Sequence, residues 1–297
     1  MEIKKYGAID IGSNAVRLLI ANVIEEKGKE TKFKKSSLVR VPIRLGADAF
    51  VSGEISENNI NRMVDAMKAF SLLMKVHGVE RYKACATSAM REAENGDSIV
   101  SKILDESGIE IDIINGAKEA AIISSTDLKH LINSDETYLY VDVGGGSTEF
   151  TLFSRGKLIK SKSFKIGTVR LINNSKEKNK KIFSKVQEWI AKNTKDYKRI
   201  SLIGSGGNIN KIFKMSGLDL GRPISYVYLN AQLEFLKKMT YEERISELSL
   251  NPDRADVIVP ATKIYLSAMK WSGARRIYVP KIGLSDGIVK SLYYDII

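Results

Sequence analysis

The stretch Tyr140-Val-Asp-Val-Gly-Gly-Gly-Ser-Thr-Glu-Phe150 sets a carboxylate two residues before three consecutive glycines and a second carboxylate three residues after them. Adjacent glycines weaken any strand or helix they interrupt, so such a run has a conformational reason. Two reasons are open. Gly-Gly is an ordinary choice for a tight hairpin, and the triplet alone fits that reading. The other is a loop whose backbone N–H groups must approach an anion too closely for a side chain to fit. Asp142 and Glu149 are hard oxygen donors of the kind that suit Mg²⁺ or Mn²⁺. Asp142 alone would serve equally well to satisfy its own turn; the pair around the glycines favours a metal.

The signature occurs twice. Ala8-Ile-Asp-Ile-Gly-Ser-Asn14 matches Tyr140-Val-Asp-Val-Gly-Gly-Gly146, and an apolar run follows each turn. The two aspartates lie 132 residues apart (142 − 10), too far for a solenoid repeat and suited to a duplicated domain. After each turn the pattern continues as a strand. That excludes a P-loop and a Rossmann fingerprint, both of which open a helix. Two such hairpins in related halves suit an anion held between domains, so the duplication shifts the reading toward phosphate. Two further residues have suitable chemistry. Glu119 stands at a helix start, where an acidic side chain ordinarily complements the helix dipole. Arg91 follows a strand and is a fork-shaped donor for phosphate, although a solvent-exposed arginine at a helix start is the commoner explanation.

The elements that must position these residues alternate between strand and helix. Two strands flank the turn within Tyr6 to Val23. Ser56 to Val76 carries a helical stripe (Ile60, Met63, Val64, Met67, Phe70, Leu73, Met74) with Ser56 as its cap. Strands are expected at Tyr82–Thr87 and Ile109–Ile114, with helices at Asp97–Glu106 and Glu119–Leu131. The second half repeats the style, with helices at Ile182–Ala191, Ile209–Met215, Asn230–Lys238 and Ala255–Trp271. Its further strands are Arg199–Ile203, which runs into Gly204-Ser-Gly-Gly-Asn208, and Arg276–Val279. Gly283-Leu-Ser-Asp-Gly287 opens a terminal helix.

The bulk properties narrow the class. The chain of 297 residues carries a net charge of +12, with basic density at Lys157–Lys165 and Lys176–Lys185. Such a charge suits nucleic acid, an anionic membrane surface or a small polyanion, or merely solvates the surface. No zinc finger or RNA-binding aromatic motif accompanies it. A single cysteine and two histidines exclude an internal disulfide and zinc-site spacing. No apolar run reaches spanning length and no secretory leader is visible, so a cytoplasmic location is expected.

Ala8-Ile-Asp-Ile-Gly-Ser-Asn14 with Arg17, Thr87-Ser-Ala-Met-Arg91, Ile114-Asn-Gly-Ala-Lys-Glu119, Val141-Asp-Val-Gly-Gly-Gly-Ser-Thr-Glu149, Gly204-Ser-Gly-Gly207 and Gly283-Leu-Ser-Asp-Gly287 follow in that order. Together they resemble the exopolyphosphatase / guanosine pentaphosphate phosphohydrolase (Ppx/GppA) family in its short two-domain form. The resemblance implies an α/β fold of two ribonuclease-H-like domains around an interdomain cleft, within the superfamily of actin, sugar kinases and heat-shock chaperones. Residues 1–125 and 126–297 are the expected domains, with the C-terminal helix, about 285–297, a candidate to pack on the first.

It also implies a hydrolase that releases terminal orthophosphate from inorganic polyphosphate or pppGpp. Carried over by position, Glu119 would activate water, with Arg91 and Glu149 also catalytic. Ser13, Asn14, Arg17, Gly144, Gly145, Gly146, Ser147, Thr148, Gly206 and Gly207 would bind phosphate. Asp142 and Glu149 would hold Mg²⁺ (or Mn²⁺). A homodimer is implied, with neither nucleic acid nor membrane as a partner. The chain departs from the family at Lys118, where a second acidic residue is usual, and at Ala121, where arginine is common. It departs again at Asn208 and at Pro260-Ala261. Lys118 and Ala121 motivate an alternative, a catalytically weak protein that binds polyphosphate or an alarmone.

Overall fold

The computed structural model describes residues 1–124, 126 and 136–297. The chain divides into two compact units, one of Met1–Thr126 with Leu284–Ile297, the other of Asp127–Gly283. The expected helix Glu119–Leu131 is observed over Gly116–Ser124; Thr126 lies in a bend, and residues 125 and 127–131 lie outside the described residues.

In the first unit, β1 (Glu2–Ile11), β2 (Val16–Glu25) and β3 (Lys32–Val41) form an antiparallel meander. β4 (Arg81–Ala86) and β5 (Ile111–Ile113) then add in parallel, giving the order β3-β2-β1-β4-β5. The central position of β1 explains its sequence. Residues Tyr6–Ile11 are buried without alternation because both sheet faces are covered. The helix Glu57–His77 presents Ile60, Met63, Val64, Met67, Phe70 and Met74 to the core. Ser56 precedes it, but its hydroxyl donates to Asp48 Oδ2 (2.6 Å) and makes no cap bond to the helix. Asp48 also accepts from the Ser56 amide and from Asn59, so this carboxylate ties down the helix start.

The second unit repeats the plan. β6 (Thr137–Val143), β7 (Thr148–Ser154) and β8 (Lys157–Phe164) form an antiparallel meander, and β9 (Ile200–Ser205) runs parallel to β6. With β10 (Ile224–Ser225) and β11 (Arg276–Tyr278) the order is β10-β11-β9-β6-β7-β8. Without the two-residue β10, both sheets read third, second, first, fourth, fifth in chain order. The repeated Asp-apolar-Gly signature is thus the first hairpin of two sheets with one topology. A second core surrounds Leu139, Val141, Phe150, Leu202, Ile264 and Tyr265.

The helix expected over Ile182–Ala191 runs over Lys176–Thr194, and that expected over Asn230–Lys238 begins at Tyr226. The helix expected over Ala255–Trp271 is two, Pro252–Ala255 and Ile258–Ser272, separated at Asp256-Val257. Pro260 then falls in the first turn of the second helix, where its missing N–H costs nothing. The third strands β3 and β8 carry lysines in place of a clear apolar alternation, because each is a sheet edge, which lysine protects from further pairing. Among the described residues, no helix is long and apolar enough to cross a membrane.

Candidate phosphate-binding site

In the second unit the glycine loop is held by its carbonyls. Gly144 O accepts from the Thr168 amide (3.0 Å), Gly145 O from the Val169 amide (2.9 Å) and Gly146 O from Arg170 Nε (2.7 Å). A trans peptide points its N–H opposite to its C=O. The amides of Gly145, Gly146 and Ser147 therefore face away from the helix Thr168–Asn173, as a row of donors. The loop can lie this close only because residue 167 is glycine. A methyl group there would sit 2.3 Å from Gly145 O and 2.5 Å from Gly146 N. The turn closes with Gly144 N to Ser147 O (3.0 Å), and the Thr148 hydroxyl, fully buried, donates to Ile166 O.

Asp142 and Glu149 are direct cross-strand partners on β6 and β7. Their side chains share a sheet face, with Cβ atoms about 5 Å apart by strand geometry. Glu149 is buried, and its Oε1 accepts from Ser147 Oγ (2.7 Å) and Ser163 Oγ (2.8 Å). Asp142 lies beside Ser205 of β9, so the loop after β9 comes alongside. There Gly206 has φ +119°, and a side chain on it would meet Val143 O, the Tyr265 hydroxyl and Asp142 Oδ1. Tyr265 is fully buried and donates to Ser205 O. Burial, and then the Asp142 charge, push its phenol well above the ordinary value, so it stays a neutral donor. Gly207 opens the helix Gly207–Met215 under the Arg254 guanidinium, whose Nη2 would lie 3.1 Å from a methyl at that position.

In the first unit the corresponding residues gather at the carboxyl ends of β1, β4 and β5, the edge where open α/β sheets bind ligands. Asp10 is buried and accepts from Arg17 Nη1 (2.6 Å), its register partner on β2. Arg17, expected at phosphate, is thus anchored to this carboxylate. The Ser13 hydroxyl shares a buried hydrogen bond with Ser88 Oγ (2.9 Å), while Ser13 O and Asn14 O accept from the Gly46 and Arg44 amides. Arg91 donates through Nη1 to Ile114 O (2.6 Å), which couples the helix Ser88–Glu92 to the entry of the Glu119 helix. Glu119 is buried in the first turn of Gly116–Ser124. Lys118 does not crowd it: its ammonium pairs with Asp112 (2.8 Å), and its amide is capped by Asn115 Oδ1. Gly287 packs against this helix so closely that a methyl would meet Ile122 O at 2.3 Å.

Sequence reasoning missed Asp10, Ser163, Gly167, Arg170, Arg254 and Tyr265 as members of these clusters. Asp10 was visible in the repeated signature; the others are joined only by folding. Asp142 and Glu149 supply hard oxygen donors on one face beside a row of amides. That suits Mg²⁺, which takes one or two carboxylates and completes its shell with water and substrate oxygens. Among the described residues, no group of three or more metal-ligating side chains occurs, so a complete protein cage for a metal is not formed there.

The sequence profile of the Ppx/GppA phosphatase family matches residues 23–294. The chain belongs to that family. The bifunctional 3-dehydroquinate synthase/phosphatase of Fusobacterium nucleatum is 30% identical over 90% of this chain and 43% of its own length. Exopolyphosphatase 2 of Mycobacterium tuberculosis is 31% identical over 58% of this chain and 54% of its own. The chain thus spans about half the length of these curated relatives. The solved structure of an exopolyphosphatase from Cytophaga hutchinsonii matches with a TM-score of 0.87 at 24% identity, covering 98% of each chain, and shows the same fold.

Proposed function

We propose that this Ppx/GppA family member is a phosphoric anhydride hydrolase that releases terminal orthophosphate from inorganic polyphosphate or from pppGpp. The observation that carries this reading is the glycine loop, whose carbonyls are tied to Thr168, Val169 and Arg170 so that three successive amides face away beside Asp142 and Glu149. Phosphoryl transfer asks for in-line positioning and for neutralisation of charge on the equatorial oxygens, and fixed amides supply both.

In this reading the first unit supplies the base and the cationic donors, and the second the amide row and two carboxylates. Glu119 takes a proton from the attacking water as its oxygen bonds to phosphorus and the bridging P–O bond breaks; the shortened chain leaves with the electron pair. Arg91 and Arg17, each anchored by a short hydrogen bond, donate to phosphate oxygens, and Ser13 and Asn14 line the same edge. Asp142 and Glu149 would hold Mg²⁺ or Mn²⁺, which would supply Lewis-acid polarisation of the phosphate and its water. Ser147 and Ser163 fix the rotamer of Glu149 for that task. Gly206 and Gly207 shape the neighbouring wall. The Lys118–Asp112 pair supports the enzyme over a catalytically weak binder, because the departure at Lys118 is absorbed by Asp112 and leaves Glu119 its helix position. The reading is completed by a cytoplasmic homodimer, to be checked by light scattering and cell fractionation.

The test is orthophosphate release with Mg²⁺ and with Mn²⁺ from short polyphosphate, long polyphosphate, pppGpp and ATP. Release from polyphosphate or pppGpp that needs the divalent ion supports the reading. Tight binding of either compound with no release from any would move the protein to the binding class.

A further inference from the structure

The second unit carries a feature that the hydrolytic chemistry does not use. An open groove of about 540 Å³ runs between the edge strand β8 and the helix Lys176–Thr194. Its floor is apolar, made by Phe164, Ile182 and Trp189. Lys162 and Lys165 of the strand region and Lys185 and Lys192 of the helix line it, all solvent-exposed, against the single acidic residue Glu188. The spacing places these helix residues together: Ile182, Lys185, Trp189 and Lys192 recur at three and four positions and so form one stripe. Lys162 lies over the Phe164 ring at 4.9 Å, which holds its ammonium at the rim. Lys162, Lys185 and Lys192 form no ion pair among the described residues.

Four cations around an apolar floor, with one carboxylate among them, form a concentrated positive field. Clustering them around one apolar floor concentrates that field over what scattered lysines would produce. The groove shares its edge strand with the second unit's candidate site. Ser163, one of its lining residues, turns its hydroxyl to the other face of β8 and donates to Glu149 Oε1, and Gly167, two residues beyond Lys165, supports the glycine loop.

We propose that this groove is an accessory binding site for a phosphoanhydride chain, occupied by stretches of inorganic polyphosphate remote from the end being cleaved. The proposal rests on the reading of the substrate as polyphosphate and sharpens it toward chains longer than the phosphate tail of a nucleotide. A chain held at the lysines rounds the edge strand to reach Glu149, because Lys162 and Phe164 project from the opposite face of β8 to Ser163.

Trp189 reports on the groove directly, and with Trp271→Phe it becomes the only tryptophan. Emission of that protein, carrying Glu119→Gln and kept in EDTA so that no turnover occurs, is titrated with long-chain polyphosphate at several salt concentrations. The expected result is a saturable change in emission whose log Kd rises linearly with log salt, by the counterion release that linear polyanions share. Lys185→Ala with Lys192→Ala should weaken binding roughly tenfold and reduce the salt slope by about 1 to 2. Lys185→Arg with Lys192→Arg should retain it. No emission change, or an unchanged Kd and slope in the alanine variant, overturns the proposal. So does an equal response to a single-stranded oligonucleotide of matched charge, which would assign the groove to nucleic acid. Phosphate release plays no part in this readout. An inactive protein that titrates as described would therefore sink the hydrolase reading alone, and an active protein with a silent Trp189 would sink the groove alone.

Discussion

Replacing Gly167 by alanine tests whether the glycine loop is a positioned device. Residue 167 has φ −142° and ψ 167°, extended backbone that alanine adopts without strain, so the whole effect is steric. The added methyl would lie 2.3 Å from Gly145 O, 2.4 Å from its carbonyl carbon and 2.5 Å from Gly146 N. These are backbone atoms that no rotamer change can clear. Real Cβ contacts essentially never fall under 3.0 Å, so loop and helix must separate by at least 0.7 Å (3.0 − 2.3). That opening would lengthen the Val169–Gly145 bond from 2.9 to about 3.6 Å (2.9 + 0.7) and the Arg170–Gly146 bond from 2.7 to about 3.4 Å (2.7 + 0.7), which breaks the first, weakens the second and turns the amide row. A displacement near 1 Å in a catalytic site costs on the order of 10²-fold, and overpacking costs about 1–3 kcal/mol of stability. The assay is kcat/KM for phosphate release, with urea unfolding as the folding control. The expectation is a loss of roughly 10²-fold in a protein that still unfolds cooperatively. A folded Gly167→Ala protein with wild-type kcat/KM would show that the amides need not be where the helix holds them.

Gly287→Ala should act on the first unit's cluster, since its methyl would meet Ile122 O at 2.3 Å and push on the helix that carries Glu119. A stability loss of about 1–3 kcal/mol in urea and a fall in kcat larger than the change in KM are expected. Ser163→Ala should lower kcat/KM roughly tenfold, the effect of losing one hydrogen bond to a carboxylate, with Ser163→Thr retaining activity; steady-state kinetics of the pair decides it. Cys85 is fully buried, and burial, with Asp112 as the next cause, pushes its thiol up to about 12 from 9.0. Its contribution to stability is therefore complete below pH 9 and is lost as pH rises through about 12. A thiol reagent at pH 8 should leave the native protein unlabelled and react at once in denaturant.

Much of the fold was legible because the strongest signals are local. The repeated Asp-apolar-Gly turn announces a duplicated first hairpin, and the period of Ser56–Val76 announces a helix that the structure extends by one residue at its end and begins one residue later. β3 and β8 were not legible, since edge strands rich in lysine look like solvated surface. The break at Asp256-Val257 was hidden by an apolar run that continues on both sides of it. In the site, Gly145, Gly146 and Glu149 stand out because glycines and a carboxylate crowd into one short segment. Gly167 does not, as its necessity comes from a contact with Gly145, 22 residues away (167 − 145). Ser163 reaches Glu149 only through the register of β7 with β8, which no local pattern encodes. Lys118 was misleading in the opposite sense: a lysine before Glu119 reads as a disturbance until Asp112 is seen beside it.

In the proposed reaction water, activated by Glu119, takes the terminal phosphoryl group. Polyphosphate turnover in oxygen-18 water with Mg²⁺, followed by mass analysis of the orthophosphate, tests it most directly. The expected result is one oxygen-18 atom in each phosphate released, at a rate that falls roughly 10²–10⁴-fold in Glu119→Gln. Unlabelled phosphate, no phosphate, or a Glu119→Gln protein as fast as its parent would contradict it.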